Sequence, residues 1–116
     1  IINVGSVNGL RPGSYQGIYS ITKAAVINLT QTLAMELASD NIQVNAIAPG
    51  LIKTKFASAI WQNEDLLNGV MQRTPAQRIG QPDEIAGMAL YLASPASSFA
   101  TGQVFVVDGG ITVPML

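Results

Sequence analysis

The order of elements legible in the sequence predicts an α/β fold, a parallel sheet with flanking helices. Three observations carry that prediction. Short strand-like runs occur three times, each closed by a glycine-containing turn: Ile1-Ile2-Asn3-Val4 before Gly5, Ile42 to Ala48 before Pro49-Gly50, and Gln103 to Val107 before Asp108-Gly109-Gly110. A long helical pattern separates the first two runs, and shorter helical patterns separate the second and third. Strand, helix, strand, helices, strand calls for crossover connections, which within one sheet are right-handed.

The first run is short and β-branched and leads at once into Gly5-Ser6, the signature of a buried strand whose end delivers polar side chains into a loop. Val7 to Gly17 holds glycines at 9, 13 and 17 and a proline at 12, a loop composition. From Ile18 to Ala38 a helix is expected, because Val26, Leu29, Leu33 and Leu37 recur at helical spacing with no Gly or Pro between them. Ser39-Asp40-Asn41 stops it. Ile42 to Ala48 alternates apolar and polar side chains and reads as the second strand. Residues 55–80 mix Phe56, Ile60, Trp61, Leu66, Leu67, Val70 and Met71 with Asn63, Asn68 and Gly69, which predicts one or two short helices forming a mobile flap. Pro82 with Asp83 and Glu84 opens a further helix, whose Ile85, Met88, Ala89 and Leu92 form one apolar stripe ending at Ser94-Pro95. Gln103 to Val107 supplies the third strand.

Composition narrows the function classes. The 116 residues are 48% hydrophobic and 11% charged, with a mean hydropathy of +0.33 and a net charge of −1, as expected of one core-rich unit. So weak a charge offers no basic stripe to nucleic acid and no cationic face to a membrane, and 6% aromatic residues leave little for base stacking. No apolar run approaches the ~20 residues of a membrane span, and the start lacks a basic segment followed by an apolar one, so a cytoplasmic location is expected. There is no cysteine and no histidine, which excludes disulfides and thiolate metal sites and makes no metal the expectation. Ile1 is not methionine and sits directly in a strand-like run, so the chain is expected to be a fragment, residues 1–116 forming one partial domain.

Without imidazole or thiol, acid/base work near neutral pH falls to a carboxylate, a lysine or a tyrosine. Tyr19 and Lys23 stand one helical turn apart in Tyr-Ser-Ile-Thr-Lys, and Ser6 lies upstream in Gly-Ser-Val-Asn-Gly. The i, i+4 spacing puts phenol and ammonium on one helix face. A phenol ionises near pH 10, so proton transfer near neutrality needs selective stabilisation of its phenolate. A cation ~4 Å away at an effective dielectric of 20 contributes about 4 kcal/mol, enough for the task.

With these residues in view, the chain resembles the carboxy-terminal half of a short-chain dehydrogenase/reductase, in the branch of 3-oxoacyl-carrier-protein reductases and carbonyl reductases. The resemblance covers nearly the whole chain. Ser6 resembles the family's carbonyl-binding serine, and Tyr19 with Lys23 its Tyr-x-x-x-Lys pair. Asn45-Ala46-Ile47-Ala48-Pro49-Gly50-Leu51-Ile52-Lys53-Thr54 is similar to the segment that lies along the nicotinamide. Gly80-Gln81-Pro82-Asp83-Glu84-Ile85-Ala86, Leu92-Ala93-Ser94 and Val107-Asp108-Gly109-Gly110 resemble the closing signature. A Tyr-x-x-x-Lys arises by chance in such a chain about once in twelve, so the specificity lies in the ordered series.

The resemblance implies a Rossmann-like parallel sheet, the carboxy-terminal half of a doubly wound fold, and an oxidoreductase moving hydride between NADP or NAD and a secondary alcohol or ketone. It implies Ser6, Tyr19 and Lys23 as catalytic, and Tyr19, Lys23, Pro49, Gly50, Ile52 and Thr54 as cofactor-binding, the lysine on the nicotinamide ribose. It also implies a homodimer or homotetramer with the helix from Ile18 as a subunit contact. The sequence departs from the pattern in having no Thr-Gly-x-x-x-Gly-x-Gly loop, no Asn-Ala-Gly segment and no tetrad asparagine, so the amino-terminal cofactor half lies outside it.

Each residue also has a plainer reading. Tyr19 alone is an amphipathic packing residue, Lys23 a solvated charge, Ser6 a capping serine, Pro49-Gly50 a turn and Thr54 a helix cap. Tyr15 suits a substrate entrance or loop packing. Phe56, Trp61 and Met71 suit a core or a subunit contact, and Arg73 and Arg78 surface charges. At the level of the whole chain the alternative is a non-catalytic assembly or pseudoenzyme module, because a sheet lacking its first half leaves an edge and a face to associate.

Overall fold

The computed structural model describes residues 1–113. Three strands, β1 (Ile2–Val4), β2 (Asn45–Pro49) and β3 (Val104–Val107), form a parallel sheet in the order β1-β2-β3. The register pairs Asn3 with Ala46 and Ala46 with Val104, and in the next row Val4 with Ile47 and Ile47 with Phe105. Helix α1 (Gly17–Leu37) joins β1 to β2; α2 (Ser58–Trp61), α3 (Glu64–Met71) and α4 (Pro82–Leu92) lie between β2 and β3. The expected α/β architecture is therefore present, with the two expected short helices between residues 55 and 80.

Side chains alternate faces along a strand, so the two rows above belong to opposite faces of the sheet. Asn3 Nδ2 donates to Thr30 Oγ1 of α1 at 2.9 Å, while the Phe105 ring meets Tyr91 of α4 edge-on at 6.2 Å. Hence α1 covers one face and α4 the other. Central β2 lies under both, and Asn45, Ala46, Ile47 and Ala48 are all buried. The Asn45 side chain is satisfied there, donating to the Ala100 carbonyl at 2.7 Å and accepting from the Gln103 amide at 3.1 Å.

Three expectations need correction. The first strand is half-buried rather than buried, with Val4 56% exposed, because α4 spans β2 and β3 and leaves β1 uncovered on that face. The second strand starts at Asn45, not Ile42: the Val44 amide is taken by Thr101 Oγ1 and its carbonyl by the Gly102 amide, so this stretch pairs with a loop. The stripe Val26, Leu29, Leu33 and Leu37, which marks the helix as expected, borders its packed face, with Val26, Leu33 and Leu37 half-buried. The buried residues of α1 are Ser20, Ile27, Thr30 and Ala34, and Leu29 is 51% exposed. Finally, Phe56 is exposed and fills no core, and Tyr15 is exposed too, so of its two readings loop packing is the one that falls.

The ends of the elements follow local chemistry. Beyond α1 a single 3₁₀ turn leads to Asn41, which adopts the left-handed conformation (φ 58°) that asparagine tolerates. The α4 start is fixed by Pro82 and by the Glu84 carboxylate, which accepts from the Gln81 amide at 2.8 Å. After β3, Asp108 accepts from the Gly110 amide (2.8 Å) and from the Thr112 amide and hydroxyl (3.0 and 2.7 Å). This closes the Asp108-Gly109-Gly110 turn, in which both glycines have positive φ.

Candidate active site

Parallel strands bring their carboxy-terminal ends to one edge of the sheet, and that edge carries the candidate residues. At the end of β1, the Gly5 amide donates to the Ile47 carbonyl at 2.8 Å and the chain then leaves the ladder. Ser6 comes next in an extended conformation, buried, and caps a 3₁₀ turn at Val7–Gly9; its Oγ accepts from the Asn8 amide at 3.1 Å. With an acceptor site so used, its O–H retains a donor.

The turn docks directly on α1. A Cβ built on Gly9 would stand 2.7 Å from the Lys23 carbonyl carbon and oxygen, a distance only glycine permits. Ser6 is thereby held against the helical turn that bears Lys23. Nothing in composition announces this contact, although a glycine three residues after a strand-end serine is the signal that could have suggested it.

Tyr19 and Lys23 are both half-buried on α1. The Lys23 ammonium lies 5.6 Å from the Tyr19 ring centroid and donates to the Val4 carbonyl at 3.3 Å. It thus sits between the phenol ring and the end of β1, joining helix and strand. The phenol ring also meets Phe56, whose ring centroid is 6.0 Å away at a 33° tilt. In place of an expected core position, Phe56 stands beside Tyr19, a place with no periodic signal because it lies in a loop.

The remaining candidates lie along β2 and beyond it. Pro49 ends the strand opposite Val107, and the Gly50 amide donates to the Val107 carbonyl at 3.0 Å. Ile52 forms a parallel bridge with Gly80 in which the pairing groups are its neighbours': Lys53 N to Gly80 O (2.9 Å) and Gly80 N to Leu51 O (3.0 Å). The amide and carbonyl of Ile52 itself therefore face away from Gly80. Thr54 Oγ1 accepts from the Ala57 amide at 3.3 Å, while the Thr54 carbonyl accepts from Trp61 Nε1 at 2.8 Å. Tyr19 and Lys23 stand by the end of β1, next to the turn that carries Ser6; Pro49, Gly50, Ile52 and Thr54 form a second group along the adjoining strand end.

Two carboxylates near this edge, Glu84 and Asp108, are held by hydrogen bonds. Arg78, expected as a plain surface charge, forms a two-pronged contact with Glu84 at 2.8 and 2.6 Å. The guanidinium and the Gln81 amide together lower the Glu84 carboxyl to about 2. Burial acts to raise Asp108, but the bonds from Thr112 and Gly110 outweigh it and hold the carboxyl below its usual range. Leu51, Ile52, Arg78, Glu84, Val107 and Asp108 line a shallow cleft beside the second group.

Known proteins are similar to this chain in sequence and fold. The family model described as enoyl-(acyl carrier protein) reductase matches residues 1–112. A tropinone reductase homologue of Arabidopsis thaliana is 44% identical over 113 residues, covering 97% of this chain and 43% of that protein. The 3-oxoacyl-(acyl-carrier-protein) reductase of Chlamydia trachomatis is 45% identical over 111 residues, 96% of this chain and 44% of that protein. Among solved structures, a gluconate 5-dehydrogenase from Burkholderia cenocepacia in complex with NADP and tartrate superposes with a TM-score of 0.96 at 39% identity, over 99% of this chain and 45% of that one. The chain spans less than half the length of these relatives. On the matched family model and this level of identity, the chain belongs to the short-chain dehydrogenase/reductase family.

Proposed function

We propose that this chain is the catalytic half of an NAD(P)-dependent oxidoreductase acting on a secondary alcohol or ketone. The observation that carries the reading is the placement of the Lys23 ammonium between the Tyr19 ring and the Val4 carbonyl, at the strand end where the turn carrying Ser6 begins. Tyr19 Oη is the proton donor to a carbonyl oxygen in reduction and the acceptor in oxidation. The Lys23 ammonium stabilises the phenolate left behind. Ser6 donates its O–H to the same substrate oxygen and so fixes the orientation of the carbonyl.

The second group fits a nicotinamide. Ile52 turns an amide donor and a carbonyl acceptor out of its bridge, the complement of a carboxamide, and the Thr54 hydroxyl lies beside it. Pro49 and Gly50 place this segment at the strand end, and Lys23 holds the ribose. When bound, the cofactor supplies or accepts the hydride. The relative solved with NADP supports this assignment, and either NADP or NAD is compatible with the residues present.

The experiment is Tyr19→Phe in the protein that carries this chain. Turnover is expected to fall about a hundredfold or more, the usual contribution of a general acid, with cofactor Kd within about twofold. Retained turnover removes the mechanism. An assembly role has its own support, because α1 exposes Ile18, Ile21, Leu29 and Met35 while packing its small residues on the sheet. This face suits a homodimer or homotetramer. No described helix is long and apolar enough to cross a membrane.

A further inference from the structure

Phe56 is a large apolar side chain that is 83% exposed, yet its ring rests beside the Tyr19 ring. An exposed aromatic on a loop has many rotamers and backbone positions open to it, so something must hold it there. The loop supplies the restraint. Trp61, at the end of α2, donates its indole N–H to the Thr54 carbonyl at 2.8 Å, and its ring lies 5.5 Å beneath the Lys53 ammonium. Inside the loop so closed, the Ala57 amide donates to Thr54 Oγ1 at 3.3 Å and the Ser58 amide to the Lys55 carbonyl at 3.2 Å. Residues 54–58 are folded back into a knot, and Phe56 is the residue at its crown.

We propose that Trp61 is a positioning residue: by tying α2 to the Thr54 carbonyl it holds Phe56 against Tyr19, where the Phe56 ring forms the wall that receives an aryl or other flat apolar group next to the substrate carbonyl. The substrate part of this rests on the assignment of Tyr19 as proton donor. Three features favour it over simple packing. The indole N–H bonds to backbone within the candidate cofactor segment, not to a distant element. The Lys53 contact lies on the same segment, so both tethers of Trp61 act on residues 53 and 54. And Phe56 contacts the phenol while remaining open to solvent, as a substrate-facing wall must.

Trp61→Phe keeps a ring for Lys53 and deletes the donor to Thr54. In the folded variant the proton NOE between the Tyr19 and Phe56 rings is expected to drop to less than about a third of its original intensity, since loss of one tether frees the loop. An unchanged NOE overturns the proposal without reference to any substrate. With acetophenone as probe, KM is expected to rise about fivefold, the worth of one hydrogen bond, and kcat to stay within about twofold. Phe56→Ala should raise KM at least as much, and the double variant no further than Phe56→Ala alone, because Trp61 acts through Phe56. Multiplying effects, or an unchanged KM in Trp61→Phe, overturn it. Tyr19→Phe run alongside separates the two failures: if Tyr19→Phe is active the mechanism falls, whereas an inactive Tyr19→Phe with a neutral Trp61→Phe removes only the role of Trp61.

Discussion

Helices α1 and α4 lie on opposite faces of one three-stranded sheet, and they treat it differently. Helix α4 turns the stripe that its periodicity announces toward the sheet, with Leu92 buried and Ile85, Met88 and Ala89 half-buried. Helix α1 presents Ser20, Ile27, Thr30 and Ala34 to the sheet and turns Leu29 and Met35 outward, the latter 76% exposed. Small and hydroxyl side chains let α1 approach closely: Thr30 reaches Asn3, and a Cβ on Gly102 would come 3.4 Å from the Ala34 methyl. The difference teaches that a helix can have two apolar faces, one fitted to its own sheet by size and one left for another surface. The stripe read from the sequence runs along the border between the two, with Val26, Leu33 and Leu37 half-buried and Leu29 exposed.

This contrast is open to direct attack. Leu92→Ala strikes the deepest apolar residue of α4 and is expected to lower stability by about 2–5 kcal/mol, measured as a shift in denaturant midpoint. Thr30→Val tests whether α1 really packs through its polar small face. It removes the acceptor of Asn3 Nδ2, and loss of about 1–3 kcal/mol is expected; a stabilised variant would mean that the hydroxyl contributes nothing.

Acid provides a weaker lever on the start of α4. The folded-state value of Glu84 is lowered from 4.5 to about 2, so its pairing with Arg78 and the Gln81 amide stabilises the fold above the ordinary carboxylate range. That contribution is lost as the pH falls toward 2. Glu84→Gln should lower Tm at pH 7 and lose less of it between pH 5 and 2 than the parent does. The smallest effect on folding is expected from Leu29→Glu, within about 0.5 kcal/mol, because its side chain is already half in water. Its effect on assembly should be large. A variant of unchanged sedimentation would show that the outward face of α1 is not a subunit contact.

Much of the fold was legible because the three strands end in glycine-bearing turns and α4 carries an N1 proline with first-turn acids. The boundaries of β2 were not, since Ile42 to Val44 is as strand-like as Asn45 to Ala48, and only the loop at Thr101 and Gly102 claims its hydrogen bonds. Val4 illustrates a second limit: a β-branched run reads as buried whether or not a helix covers it. The spacing of Tyr19 and Lys23 did foretell a shared helix face, and the fold adds the Val4 carbonyl as the point where the ammonium is fastened. Phe56, Trp61 and Gly9 were legible only as residue types. Their roles depend on contacts between a loop and a helix or between two turns of one loop, which have no period to read.

The close fit of Gly9 to the Lys23 backbone bears on how such a protein is altered by design. A methyl group at residue 9 would act as a shim between the turn that carries Ser6 and the α1 backbone at Lys23, shifting the serine without touching its side chain. Libraries that vary this region are best diversified at residue 56, which is open to solvent, with residue 9 kept invariant as the gauge that sets how closely turn and helix seat.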